Sequence, residues 1–346
     1  MKIEKLLEQL CNLICTPGEE LKEQKLEAIL KPYGKAQKDN LGNTILKKNA
    51  SNKALNRVLL DAHIDEVGAI VTNITKDGFL KVDSCGSVDP KVFFGAEVLV
   101  VGKKQLPGVA CQTPPHLQTT NKTCVPEITN SYIDIGYNFE HAKDFVPLGS
   151  RVILQSVFLK LKNHIYSGRA MDNRAGCASV ICALEILKNT SLKNTEINAV
   201  FSAMEEVGCR ALPCAVSKLK PTHTIIIDAT FGTTKSEDSE LMQLGKGPAL
   251  GISPGLNEKL KNLLAKQAEN HNIPFQLEVC GGKTSTNADN LMNHKKPMLI
   301  SIPLKYMHSP VSCVNLKDIE ATGFLVAKFI QNLDLTVLEE NINGRH

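Results

Sequence analysis

Apolar residues open the chain at Ile3, Leu6, Leu7, Leu10 and Ile14, a spacing of three and four that predicts an amphipathic helix. Thr16-Pro17-Gly18 interrupts it, and a second helical run is expected from about Glu19 to Tyr33. The pattern then turns to strands. Leu41 to Lys47 is one, and Arg57 to Ile64 (RVLLDAHI) is almost continuously apolar, as in a strand covered on both faces. From Val67 to about His164, short alternating runs such as GFLKVDS, AEVLVVG, SYIDIGY and RVILQSV are separated by Gly, Pro, Asp and Asn. Such a texture predicts a compact β-rich unit, within which PGVACQTPPHLQTTNKTC reads as a long loop.

After Gly168 helices and strands alternate. Helices are expected from Asn173 to Leu187, Cys209 to Leu219, Asn257 to His271 and Lys317 to Leu333, with strands from Glu196 to Met204, Thr222 to Ile227 and Met298 to Pro303. That order predicts an α/β fold, a mixed sheet covered by helices on both faces. Residues 1–66 and 164–346 would form the main domain and residues 67–163 a small β-rich insert.

Composition narrows the function by exclusion. The 40 basic and 36 acidic residues leave a net charge of +4 with no block of like charge, so neither a nucleic acid nor an anionic membrane is an expected partner. Glu4 and Glu8 interrupt the first apolar run, unlike a signal peptide, and no apolar stretch is long enough to span a bilayer. A cytoplasmic protein is expected, which would not use the glycosylation sequon at Asn121. The 11 cysteines include no C-x-x-C pair and read as reduced, buried thiols.

Chemistry collects at the ends of the predicted strands, where sheets of this kind carry their sites. The run VFSAMEEVGCR ends on adjacent carboxylates, Glu205 and Glu206, whose side chains point to opposite faces near a strand end. One can bind a metal while the other acts as a base. His63, Asp172, Asp228 and His308 follow other strand or loop ends. With Glu206 they supply two imidazoles and three carboxylates, a donor set that suits two Zn²⁺, Co²⁺ or Mn²⁺ ions when one carboxylate bridges. Glu205 is then the natural general base, and Asp65, two residues from His63, is placed to accept the imidazole's other N–H.

Five ordered segments carry a resemblance: DAHIDEVG, GRAMDNRAGC, EEVGCRAL, IDAT and YMHSPV. They are similar to the motifs of the glutamyl-aminopeptidase or tetrahedral-aminopeptidase family of dinuclear metallopeptidases. DGFLKVDSCGSVDP, PPHL and YIDIG in the insert are familiar too. The resemblance implies a zinc-exopeptidase-like fold with a barrel-like insert that serves dimerisation and borders the pocket as a lid. It implies that His63 and Asp228 hold one metal, Glu206 and His308 the other, and that Asp172 bridges. It also implies a cytosolic enzyme that removes N-terminal residues from peptides, its subunits dimerising and assembling into a tetrahedral dodecamer.

Other positions depart from the family or stay open. In GGKTSTNADNL, Ser285 or Asn287 stands where family members carry an Asp, and LGKGPALGISPGLNEKL also differs near the pocket. Arg174 and Arg210 are candidates to meet a substrate carboxylate, against the commoner ion-paired or surface arginine. His116 in PPHL stays outside the catalytic set. The alternatives are a di-zinc amidohydrolase or carboxypeptidase-type enzyme acting on N-acyl substrates, and a metal-binding assembly protein without catalysis.

Overall fold

Alternate residues of the strand Asn56–His63 enter two different cores: Val58, Leu60 and Ala62 face one, and Leu59 faces another with Val200, Ile226 and Leu299. A strand apolar on both faces has to be internal. In the computed structural model, which describes residues 2–112, 127–233, 242–291 and 296–343, it lies between Thr195–Ser202 and His223–Phe231, parallel to both. Met298–Lys305 extends the parallel set beyond His223–Phe231. Antiparallel strands flank this group: Thr44–Lys48 beside Thr195–Ser202, and Ser312–Asn315 beside Met298–Lys305. Among the described residues eleven strands make up this sheet.

Helices Ile3–Cys11, Met171–Leu187, Glu258–Asn270 and Leu316–Asn343 contribute to the larger core on one face. Leu212–Leu219 and the 3-10 turn Asn287–Leu291 cover the other face. The mixed sheet covered on both sides is therefore what the chain forms. Directly after His63 it leaves this sheet. Gly68–Ile74, Leu80–Cys85, Tyr132–Asp134, Gln105–Cys111, Glu97–Val101 and Arg151–Leu154 then close a barrel in that spatial order. The barrel has its own core, with Val71, Val82, Val98, Ile133 and Val152 inside. Leu159–Lys160 and Ile165–Gly168 pair with each other at the border of the large sheet.

Two local departures from the sequence pattern have tertiary causes. The second helix covers only Lys25–Leu30, followed by a 3-10 turn at Lys31–Tyr33. Residues 19–24 do not join it: Glu23 caps the N–H groups of Lys25 and Leu26 at 2.9 Å each, and Glu20 accepts the N–H of Met204 at 2.9 Å. The strand expected to end at Ile227 continues to Phe231, which puts Asp228 and Thr230 on the sheet itself. His116, the Asn121 sequon and most of their loop lie outside the described residues. The ten cysteines of the described residues are free, and none of the described helices is long and apolar enough to cross a membrane.

Leu60 is fully buried in the central strand. Leu60→Ala is expected to cost about 2–5 kcal/mol, read as a lower urea midpoint. A midpoint within error of the parent would mean that this core closes around the gap.

Candidate metal centre

The ends of the parallel strands deliver the candidate residues to one place. His63 ends Asn56–His63 and sits level with Ser202, three residues before Glu205. Asp228 lies on the neighbouring strand, and His308 follows Met298–Lys305. Asp172 comes from the first turn of Met171–Leu187, where it and Asn173 keep non-helical backbone angles. Asp172 is not the helix cap that its position invites. Asn173 takes that part, its Oδ1 accepting the N–H of Gly176 at 3.0 Å, and the Asp172 carboxylate is left to face the cluster.

That carboxylate is divided between two imidazoles. Its Oδ1 lies 3.1 Å from His63 Nε2 and its Oδ2 3.4 Å from His308 Nε2. Asp228 Oδ1 is 3.5 Å from His63 Nε2, and Glu206 Oε1 is 3.4 Å from His308 Nε2. Glu205 Oε2 stands further off, 3.9 Å from His63 Nε2. The second nitrogen of each imidazole is tied to main chain: His63 Nδ1 lies 3.2 Å from the Asp65 carbonyl, and His308 Nδ1 2.9 Å from the Ser87 carbonyl. A proton on Nδ1 in each case leaves Nε2 as the free donor atom. Ser87 lies just beyond the barrel strand Leu80–Cys85, so the insert helps set His308. Gly86 makes that approach feasible: at φ +87°, a Cβ there would come within 3.3 Å of the Glu206 Cβ.

Asp65 is fully buried beside His63 but does more than face the imidazole. Its carboxylate is 3.5 Å from His63 Nδ1 and accepts the backbone N–H groups of Glu205 and Glu206 at 3.2 and 3.1 Å. It splints the loop that presents the paired glutamates. Asn43 and Glu20 add to this, accepting the N–H groups of Ala203 and Met204 at 3.0 and 2.9 Å.

The charge balance of the cluster is unfavourable by itself. Among the described residues, Asp172, Glu205, Glu206 and Asp228 meet only two imidazoles. Burial, with Asp228 and Glu206 adding, pushes the Glu205 carboxyl up to about 8 against the pull of His63. Burial likewise pushes Glu206 up to about 7 and raises Asp228. Burial would lower both imidazoles, but the surrounding carboxylates outweigh it. His63 is held well above its ordinary value and His308 goes to about 10. Asp172 alone among the four carboxyls is held low, its contacts with His308 and His63 overcoming burial. Glu206 Oε1 is buried and, among the described residues, has no hydrogen bond beyond the His308 approach. A site short of positive charge, with an orphaned carboxylate oxygen, fits divalent cations. Among the described residues, three sets of side chains bring ligand atoms within 4.8 Å of one another: His63, Asp172 and Asp228; Asp172, Glu206 and His308; and His63, Glu205 and Glu206.

Cys209 and Asp61 are not among the residues singled out in the sequence. Cys209 Sγ donates to Glu205 Oε1 at 3.1 Å. Asp61, which burial pushes up to about 7, accepts from Asn287 Nδ2 at 2.9 Å. Asn287 is buried beneath the site, whereas Ser285 is exposed and donates its N–H to Asp289. Arg174 is fully buried and pairs with Glu66 at 3.4 Å, with Arg169 on the same carboxylate. It does not point at a substrate, and Arg210 is exposed. A cavity of about 720 Å³ opens over the cluster, walled also by Phe231, Glu278, residues 282–286, Leu299 and Met307. That volume accommodates a residue or two of an extended peptide.

Acid, imidazole and a water-accessible cavity at the carboxyl ends of parallel strands are the equipment of a hydrolase that attacks a carbonyl. The chain belongs to the M42 glutamyl aminopeptidase family, whose profile matches residues 42–325, and it is a peptide hydrolase. The lysyl aminopeptidase of Pyrococcus furiosus is 27% identical over 85% of this chain and 86% of its own length. The glutamyl aminopeptidase of Lactococcus lactis is 29% identical over 84% of each. The Pyrococcus horikoshii TET1 peptidase, which can assemble into a tetrahedron or a large octahedral shell, superposes with a TM-score of 0.84. It is 27% identical and the match covers 95% of this chain and 99% of that one.

Asp65→Asn keeps one acceptor oxygen but turns an amide NH₂ toward a second backbone N–H. A loss of about 1–3 kcal/mol is expected, measured by chemical unfolding of the metal-free protein. An unchanged midpoint would remove Asp65 as the splint of the glutamate loop.

Proposed function

We propose that this chain is an aminopeptidase dependent on two divalent ions per subunit, Zn²⁺ or Co²⁺, with Mn²⁺ a further candidate, acting on the free N-termini of peptides. His63 and Asp228 hold one ion, Glu206 and His308 the other, and Asp172 serves both. The observation that carries this reading is the division of the Asp172 carboxylate, one oxygen toward each imidazole at 3.1 and 3.4 Å. A set built on His63, Glu205 and Glu206 would consume the base and leave Asp228 and His308 without a part, so it is the less economical choice. Bound ions of this type lower the pKa of water and polarise the scissile carbonyl.

The chain's own groups supply the proton handling. Glu205 takes a proton from the attacking water and returns it to the departing amine. The Cys209 thiol on Oε1 orients the carboxylate. Asp65 positions both glutamates through their backbone N–H groups. The imidazoles are held by main-chain carbonyls at Nδ1 and do not take part as acids.

Residues 1–66 and 164–346 form the catalytic domain in this reading, and residues 67–163 the insert through which subunits dimerise and which borders the pocket. The dimers assemble further into a tetrahedral dodecamer, a proposal supported by the TET1 likeness. The enzyme works in the cytoplasm on peptides, without nucleic acid or membrane partners.

Glu205→Gln should keep both metals, counted by mass spectrometry of the metal content, while kcat falls by about 10²–10⁴-fold. Turnover within a few-fold of the parent, on the order of experimental scatter, would take Glu205 out of the mechanism. Stripping with a chelator is expected to abolish cleavage of aminoacyl p-nitroanilides and of short free-amine peptides, with Zn²⁺, Co²⁺ or Mn²⁺ restoring it. Cleavage of N-acetylated substrates in preference to free amines would instead support the amidohydrolase alternative.

A further inference from the structure

The cavity above the metal cluster has a second chemical feature one step along the sheet. Glu278, on the strand Gln276–Val279, places its carboxylate between two hydroxyls: Thr230 Oγ1 donates to Oε1, and Ser301 Oγ donates to Oε2 at 2.6 Å. Both hydroxyls are buried at the floor, Thr230 8% and Ser301 1% exposed. Thr230 follows Asp228 by two residues and therefore shares its face of the strand, while Ser301 pairs directly with Asp228 in the sheet. The carboxylate thus meets hydroxyls from the Asp228 pair and from the next residue on that face of the sheet. It is half-buried, lines the cavity, and pairs with no basic side chain among the described residues.

A carboxylate with one donor on each oxygen is fixed in place and still has lone pairs to offer. Apolar side chains also line the cavity: Leu299, Met307 and the exposed Phe231. This is the profile that receives a long basic side chain, its methylene stem on the apolar wall and its charged head on the acid. The opposite charge in the cavity lining is Lys283, which is exposed on the loop rather than seated in the floor. Asp289, the other acid outside the cluster, is occupied by the N–H groups of Thr284 and Ser285 and the Thr284 hydroxyl.

We infer that Glu278 is the specificity-determining residue of the pocket for the substrate's N-terminal side chain, and that the enzyme favours peptides beginning with lysine or arginine. The inference rests on the aminopeptidase reading and deepens it. An apolar N-terminal side chain would leave the Glu278 charge partly desolvated without a partner, and a glutamate would meet it with like charge.

The test is a panel of Lys-, Arg-, Leu- and Glu-aminomethylcoumarins with the metal-loaded enzyme, compared through kcat/KM. Lys and Arg are expected to exceed Leu by about tenfold or more, with Glu the poorest. In Glu278→Gln the Lys/Leu ratio of kcat/KM should fall by about tenfold. The ratio is read within one protein, so a partial loss of folded enzyme does not disguise the answer. Leu or Glu equal to Lys in the parent overturns the inference, as does a Glu278→Gln enzyme that loses Leu and Lys activity in the same proportion. A Glu preference that disappears in Lys283→Ala assigns the pocket to the loop lysine instead. If no free-amine substrate is cleaved under any metal, the aminopeptidase reading itself falls, and this inference with it.

Discussion

Everything at this site turns on one carboxylate facing two imidazoles. For Asp172 to reach both His63 and His308, the chain has to leave helical geometry in the first turn of Met171–Leu187 while the rest of that helix stays locked in the main core. Asn173 makes this feasible by capping the helix itself. The helix anchors the turn, since Ala175, Cys177, Ala178, Val180 and Ile181 are fully buried against the sheet. Apolar burial here does not stabilise the cluster directly. It provides the rigid platform on which repelling carboxylates can be held a few ångströms apart, a cost the fold must offset elsewhere.

The electrostatics follow from that confinement. Burial raises the proton affinity of Glu205 and Glu206, the surrounding carboxylates raise that of His63 and His308, and Asp172, with an imidazole on each oxygen, is the exception. Cations are the simplest remedy for such a deficit. Away from the cluster, Glu278 meets the same problem differently, through two hydroxyls from neighbouring strands. One sheet therefore carries two kinds of acid, a crowded set and a solitary one, within the same cavity.

Much of this was legible in the residues because strands buried on both faces are written as apolar runs. RVLLDAHI and HTIIIDA carry His63 and Asp228 near their ends, INAVFSA is followed after Met204 by Glu205 and Glu206, and these polar residues are among those the structure gathers. What stayed hidden depends on contacts between distant segments. The helical spacing of residues 19–33 is real, but Glu20 is drawn to the Met204 N–H and the first part of the run becomes turns. Asp65 was expected at the imidazole through its carboxylate. The shorter contact to His63 is its backbone carbonyl, and the carboxylate serves the glutamate loop from 140 residues away. Glu278 looks like an ordinary polar residue in a short alternating strand, QLEV, and only the partners Thr230 and Ser301 give it meaning.

The hold on His308 by the Ser87 carbonyl has a consequence for how the chain can vary. A main-chain oxygen is common to every amino acid, so the side chain at position 87 is free to drift without disturbing the imidazole. Chain length is not. A residue added or removed between Cys85 and Val88 would shift which carbonyl meets the ring, and with it the direction of the ligand nitrogen. Position 87 tolerates changes of spelling far better than this junction tolerates changes of word length, whereas position 86 is held to glycine by its backbone and by Val67 and Glu206 beside it.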